Sequence, residues 1–161
     1  MTARALRMIA DAEPASRYLH PGEVAVSATP LSLSTVLGSC VGVCLFDAER
    51  GVGGMNHFLL PDSAGHARPN ARFGDVALEQ LLADVLAAGA RRHGLAARVY
   101  GGACVLLAFA GSNHLGERNV QAALEFLDAQ GIPVLGCDTG GRRGRRLLFH
   151  THTGAARAQR I

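Results

Sequence analysis

The chain predicts an α+β fold: a layered sandwich of mixed and antiparallel β-sheet with two main helices packed on one side. Three observations lead there. Short apolar segments bounded by glycine, proline and polar residues recur along the whole length, which is the pattern of strands joined by turns. Two windows place apolar residues at helical spacing instead. No internal repeat, low-complexity tract or linker divides the 161 residues, which are 48% hydrophobic and 18% charged, the size and make-up of a single core-forming domain.

Taken in order, residues 1–20 are mixed in character, contain alanine and arginine, and read as a flexible N-terminal arm before a domain spanning 21–161. Extended segments follow at 23–28 and 31–35. The segments 41–46 and 52–60 flank the polar link Asp47-Ala-Glu-Arg-Gly51 and read as a β-hairpin with a glycine-containing loop. The polar stretch 62–72 is a loop beside the second hairpin strand, either a lid or substrate rim or a plain connection. Asp75 is expected to cap the first helix, whose face carries Leu78, Leu81, Leu82 and Val85 and which Gly89 ends. A strand is expected over 98–109, with Gly101-Gly102 marking a bulge or a close backbone approach. Asn119 is expected to cap the second helix, with Val120, Ala123, Leu124 and Leu127 as its stripe and Gly131 as its stop. Extended segments at 132–137 and 147–151 complete the set, separated by the turn-like Asp138-Thr-Gly-Gly141.

The hairpin carries the chemistry. With Phe46 paired to Val52, His57 faces Val41. A single bulge at Gly53-Gly54 brings Cys40 and His57 directly opposite on one face. Cross-strand Cβ atoms are about 4.5–5.5 Å apart, close enough for an imidazole to take a thiol proton. Gly38 and Gly42 flank Cys40 at two-residue spacing, leaving a trough without side chains for a substrate. Glycine also lets the main chain approach a ligand closely and aim N–H groups at an oxyanion. The competing reading makes Gly38-Ser39 a bend and Cys40 a small buried hydrophobe.

Other classes are disfavoured. No uninterrupted apolar stretch approaches the length of a spanning helix, and the N-terminus lacks a secretory apolar region, so a cytoplasmic protein without membrane insertion is expected. The four cysteines, Cys40, Cys44, Cys104 and Cys137, include no CxxC pair and read as reduced thiols. His150-Thr-His152 offers two zinc ligands on one face, but without a closely spaced cysteine pair neither metal nor cofactor is expected. The net charge is only +3, and Arg142-Arg-Gly-Arg-Arg146 concentrates the basic residues in either a solvated turn or a basic lip for an acidic partner. Nucleic acid is disfavoured because aromatics are 5% of the chain and tryptophan is absent, leaving no stacking platform.

The string Leu37-Gly-Ser-Cys-Val-Gly-Val-Cys-Leu-Phe-Asp47, followed by Gly53-Gly-Met-Asn-His-Phe-Leu-Leu-Pro61, resembles the signature of the CheD family of chemoreceptor glutamine deamidases. The similarity continues through Gly101-Gly-Ala103, Leu115-Gly-Glu-Arg-Asn-Val120 and Asp138-Thr-Gly-Gly141 with Arg145, ending near Thr153-Gly154. This resemblance implies a fold similar to the cytotoxic necrotizing factor deamidases. It implies Cys40 as nucleophile, His57 as general base and acid, and backbone N–H groups near Ser39 and Cys40 as the holders of the oxyanion. The family's third member is a threonine six residues before the cysteine; this chain has Ser34 there and Thr35 next to it, so both hydroxyls stay open. Arg145 is implied to hold the Asp138 loop. The implied activity is conversion of receptor glutamine side chains to glutamate through a thioester, with glutamate methyl esters as a second substrate. The implied partners are chemoreceptor cytoplasmic helices and a CheC-type phosphatase. Two alternatives stand beside it. One is a non-catalytic module docking on those partners. The other, a papain-like protease, is disfavoured because that class places its histidine far downstream of the cysteine.

Overall fold

The computed structural model describes residues 14–106 and 111–161. Among the described residues, nine strands form two mixed sheets, and two α-helices pack against one of them. The strands are β1 (Ala15–Tyr18), β2 (Val24–Ser27), β3 (Leu31–Leu37), β4 (Val41–Asp47), β5 (Val52–Asn56), β6 (Ala96–Gly101), β7 (Val134–Thr139), β8 (Arg145–His150) and β9 (Ala156–Arg160). The helices are α1 (Gly74–Ala87) and α2 (Leu115–Ala129). One sheet has the order β1-β3-β8-β9 and the other β2-β5-β4-β6-β7.

The five-stranded sheet is the middle layer. Val41, Val43 and Leu45 of β4 join Leu78, Leu81 and Val85 of α1 and Leu127 of α2 in one core. Cys44 and Phe46, pointing the other way, join Leu33 and Leu37 of β3 and Leu147 and Phe149 of β8 in a second. Strand β4 is therefore buried on both faces along its whole length, which explains its unbroken apolar run Val41 to Phe46. The helices lie on one side only, as the sequence predicts.

The hairpin forms, with a register that differs from the bulged one. Asp47 pairs with Val52, Phe46 with Gly53 and Leu45 with Gly54, without interruption. The two glycines serve close approach instead. A Cβ at Gly53 would lie 2.3 Å from the Thr151 carbonyl in the turn just after β8, and one at Gly54 would lie 2.5 Å from Val26 Cγ2. Gly101-Gly102, at the end of β6, meets the expected close approach: a Cβ at Gly101, where φ is +105°, would lie 2.2 Å from the Cys40 carbonyl.

Several boundaries differ from expectation, each for a local reason. Within the expected arm, Ala15–Tyr18 pairs in parallel with β3, and Leu19 is fully buried; residues 1–13 lie outside the described residues. The arm reading fails there because four exposed residues carry no apolar alternation. Strand β9 was equally silent, an edge strand of sequence Ala-Arg-Ala-Gln-Arg. The expected strand over 98–109 stops at Gly101, and 107–109 lie outside the described residues. Helix α1 starts one residue before Asp75, whose carboxylate accepts from Ser63 Oγ at 2.7 Å and so fastens the 62–72 loop to the helix. Helix α2 starts four residues before Asn119, capped by His114, whose Nδ1 accepts from the Glu117 N–H. Both glycine stops hold: Gly89 and Gly131 follow the helices with positive φ.

Among the described residues, no helix is long and apolar enough to cross a membrane. The arginine run forms the turn into β8, with Arg142, Arg143 and Arg146 exposed and Arg145 buried. Arg145 does hold the Asp138 loop: Nη2 donates to Gly140 O at 2.7 Å, and Nε lies 3.2 Å from Asp138 Oδ1.

Candidate active site

The chain changes sheets at Gly38-Ser39-Cys40. Strand β3 belongs to the four-stranded sheet and β4 to the five-stranded one, so these three residues form the bend between layers. That geometry explains how a hydroxyl five or six residues before Cys40 comes near His57 at all. A straight strand would carry it about 20 Å away; the bend folds β3 back across the neighbouring sheet.

Alternation decides which hydroxyl arrives. Leu33, Thr35 and Leu37 all point inward and are fully buried, while Ser34 points to the other side of the strand. Thr35 Oγ1 lies 2.8 Å from His57 Nδ1. The Thr35 hydroxyl also donates to Leu19 O at 2.7 Å. A hydroxyl has one proton, so with that proton committed to Leu19 it can only accept from the ring. His57 therefore carries its proton on Nδ1, and Nε2 holds a lone pair. Nε2 is buried and has no hydrogen-bond partner among the described residues.

The ladder register places the thiol relative to the ring. Val41 and Phe58 exchange backbone hydrogen bonds of 3.1 and 3.0 Å, continuing the register in which Cys44 faces Met55. Gly42 thus stands opposite His57, and Cys40 is the diagonal neighbour on the same face. Cys40 packs against the inter-sheet core and lines an open cleft of about 660 Å³ with Ser39, His66, Arg68, Arg72 and Phe73. The 62–72 loop is therefore one wall of the cleft that holds the thiol. Of the two glycines flanking Cys40, Gly38 opens to free space, whereas a Cβ at Gly42 would sit 3.3 Å from Leu37 Cδ1 between the sheets.

Beyond the Val41–Phe58 pair the two strands part. Leu59 and Leu60 turn their N–H groups to Arg72 O, and Leu60 O accepts from Gly74 N. In a continued ladder, Ser39 N–H would donate to Leu60 O. With that acceptor diverted, neither Ser39 nor Cys40 donates a backbone hydrogen bond among the described residues. The carbonyls are held from elsewhere. Cys40 O accepts from Gly102 N at 2.9 Å, and Ser39 O accepts from Asn119 Nδ2 at 3.0 Å.

Burial sets both titrations. It pushes His57 down to about 4, with the charge of nearby His20 acting in the same direction and the Leu19 contact opposing. It pushes the Cys40 thiol up, against a smaller opposing contact of the sulfur with its own residue's N–H, the group that an incoming oxyanion would take over from the sulfur. The resting pair at neutral pH is accordingly thiol and neutral imidazole, and not a preformed thiolate–imidazolium pair.

Sequence reasoning did not find Leu19, whose carbonyl fixes the Thr35 proton, or Asn119 as anything but a cap. Thr35 was within its reach, since Leu33 and Leu37 mark the inward face by period two. His150 Nδ1 lies 3.0 Å from Ser32 Oγ, with its ring 6.3 Å from that of His152. Among the described residues no cluster of three or more histidine, cysteine or acidic side chains is placed to hold a metal ion.

A family model described as CheD chemotactic sensory transduction matches residues 59–160. A protein of Anaeromyxobacter dehalogenans is 56% identical over 139 residues, covering 86% of this chain and 81% of its own length. The chain belongs to the CheD family. An alignment of that extent necessarily runs through Cys40 and His57, which precede the matched segment of the CheD model. A Trichlorobacter lovleyi relative is 44% identical, covering 89% of this chain and 90% of its own. One from Bordetella petrii is 42% identical, covering all of this chain and 74% of its own. These CheD relatives carry the name "probable chemoreceptor glutamine deamidase".

The geometry makes a sharp distinction between the two hydroxyls. Thr35→Val keeps the shape but removes the acceptor for Nδ1–H and the donor to Leu19 O. It is expected to lower the turnover number about 10²-fold, because the ring loses its fixed tautomer. Ser34→Ala is expected to stay within about threefold of the parent, since surface changes away from such contacts are small. Deamidation rates of the two variants, measured side by side, check this.

Proposed function

We propose that this chain is a protein-glutamine deamidase acting on chemoreceptor cytoplasmic helices, with Cys40 as nucleophile, His57 as base and acid, and Thr35 orienting the ring. The observation that carries the reading is the fixed tautomer of His57. Nδ1–H is committed to Thr35, and the buried Nε2 lone pair is the nitrogen left to serve a thiol on the same sheet face.

His57 Nε2 takes the thiol proton as sulfur attacks the carboxamide carbon of a glutamine side chain. The N–H groups of Ser39 and Cys40, without backbone acceptors among the described residues, receive the oxyanion. The imidazolium returns its proton to the nitrogen, the C–N bond breaks, ammonia leaves and a thioester remains. Water then gives a proton to Nε2 and its oxygen to the thioester carbon. The C–S bond breaks, glutamate departs, and the proton returns to sulfur. A glutamate methyl ester would follow the same course with methanol leaving. Because both partners rest neutral, the base works during attack, the regime in which proton transfer in the transition state matters most.

The decisive experiment incubates the protein with a receptor cytoplasmic fragment and follows mass. A gain of about one dalton per converted glutamine, absent in Cys40→Ala, is expected for the Cys40 chemistry. Conversion that survives the substitution overturns the nucleophile. Binding without conversion by the parent protein would favour a docking module, whether for receptors or for a CheC-type phosphatase. Serine at position 34 gives that alternative little support, since Thr35 supplies the hydroxyl at the ring.

A further inference from the structure

We infer that Asn119 is a positioning residue for the oxyanion: it aims the Cys40 N–H into the cleft by holding the opposite end of the same peptide. The inference rests on the deamidase reading and names a part of that site which neither the cysteine nor the histidine supplies.

Asn119 lies in the second turn of α2, and its side chain is fully buried. Its Nδ2 donates both protons to main-chain carbonyls, to Ser39 O at 3.0 Å and to Leu59 O at 2.9 Å. Both partners only accept, so the amide orientation is fixed by chemistry. These carbonyls lie just past the last ladder pair, one on each separating strand. The side chain thus bridges the fork that the divergence of the strands opens, and Cys40 sits at that fork.

The Ser39 carbonyl belongs to the peptide unit whose nitrogen is that of Cys40. A trans peptide is planar, with C=O and N–H pointing in opposite directions. Fixing the Ser39 oxygen on α2 therefore fixes the direction of the Cys40 N–H on the other side. A hydrogen bond accepted by the carbonyl also polarises the N–H of that unit and makes it a better donor. Gly102 N holds the next carbonyl, that of Cys40, at 2.9 Å, so the nucleophile's backbone is gripped on both flanks. Helix α2 comes close enough to do this because position 116 is glycine: a Cβ there would lie 2.4 Å from Gly102 O.

The test separates oxyanion chemistry from thiol chemistry. Acyl transfer needs the oxyanion donor, whereas alkylation of Cys40 by iodoacetamide does not. In Asn119→Asp, a near-isostere that cannot donate to both carbonyls when ionised, the turnover number is expected to fall about 10²-fold. KM and the alkylation rate are expected to stay within about threefold, because groups acting only in the transition state leave binding untouched. Asn119→Ser, smaller and uncharged, is the second variant, with the same expected split. Thermal melts accompany both. Alkylation falling in step with deamidation, or both variants failing to fold, would reduce Asn119 to a structural role and overturn the inference. Undiminished deamidation would overturn it alone, with the parent and Cys40→Ala controls still upholding the deamidase reading. A parent protein that does not deamidate overturns both.

Discussion

Replacing His57 by glutamine is expected to lower deamidation about 10³–10⁴-fold, the upper range for loss of a positioned base, made larger here because the thiol cannot ionise unaided. Burial holds the Cys40 thiol above its usual range, so no resting thiolate rescues the variant near pH 7. The pH profile of the parent carries the complementary signature. In the proposed mechanism turnover requires neutral imidazole, and burial pushes His57 down to about 4. Activity is therefore expected to persist well below pH 6.5 and to be lost as pH falls through about 4, against an ordinary histidine limb near 6.5. Stability follows the same group. Between the two values the unfolded chain binds a proton that the folded protein refuses, so stability falls as pH drops from 6.5 towards 4. The full window amounts to on the order of 3 kcal/mol, and denaturant titrations of His57→Gln should show a shallower slope over it. An acid limb near 6.5 would contradict the buried, unprotonated ring.

The largest expected stability loss belongs to Arg145→Ala. Arg145 heads the largest fully buried side chains, and its guanidinium ties the end of β6 to the 138–141 loop: Nη1 donates to Gly101 O at 3.3 Å, Nη2 to Gly140 O at 2.7 Å, and Nε faces Asp138 at 3.2 Å. Removing it empties volume in the interior, leaves Gly140 O without its side-chain donor, and leaves Asp138 paired with Arg160 alone. The combined cost is expected to be about 3–5 kcal/mol, a large share of a stability of about 5–15 kcal/mol. Arg145→Lys keeps the charge without the fork and is expected to recover only part of it. Urea midpoints decide the matter, and a loss under about 1 kcal/mol would mean the pocket collapses around the deletion. Some loss of turnover should accompany it, since Gly101-Gly102 packs against the Cys40 carbonyl.

Much of this was legible in the chain because it is encoded locally. The double-faced burial of β4 shows as an unbroken apolar run, and the α1 stripe and both glycine stops follow from spacing. The link 47–51 announces the hairpin that brings Cys40 and His57 to one side. What escaped depends on partners distant in sequence. Nothing in Ala15–Tyr18 or Ala156–Arg160 indicates a strand until β3 and β8 offer their edges. Gly53-Gly54 reads as a bulge by composition, yet the pair exists to let Thr151 and Val26 approach. Asn119 looks like a helix start because asparagine favours caps, but the helix begins at Leu115 and the amide is needed by backbone two elements away.

The change of sheets between β3 and β4 has a mechanical consequence. The Thr35 hydroxyl rides on one layer and the Cys40 sulfur at the entry to the other, so their spacing is gauged by the thickness of the filling between them. Leu37, Leu147 and Phe149 are the shims of that gap. Any exchange among them that thins or swells the interlayer also shifts the His57 ring against Cys40, so under the proposed mechanism adaptation to heat or cold through those positions is expected to register in catalysis.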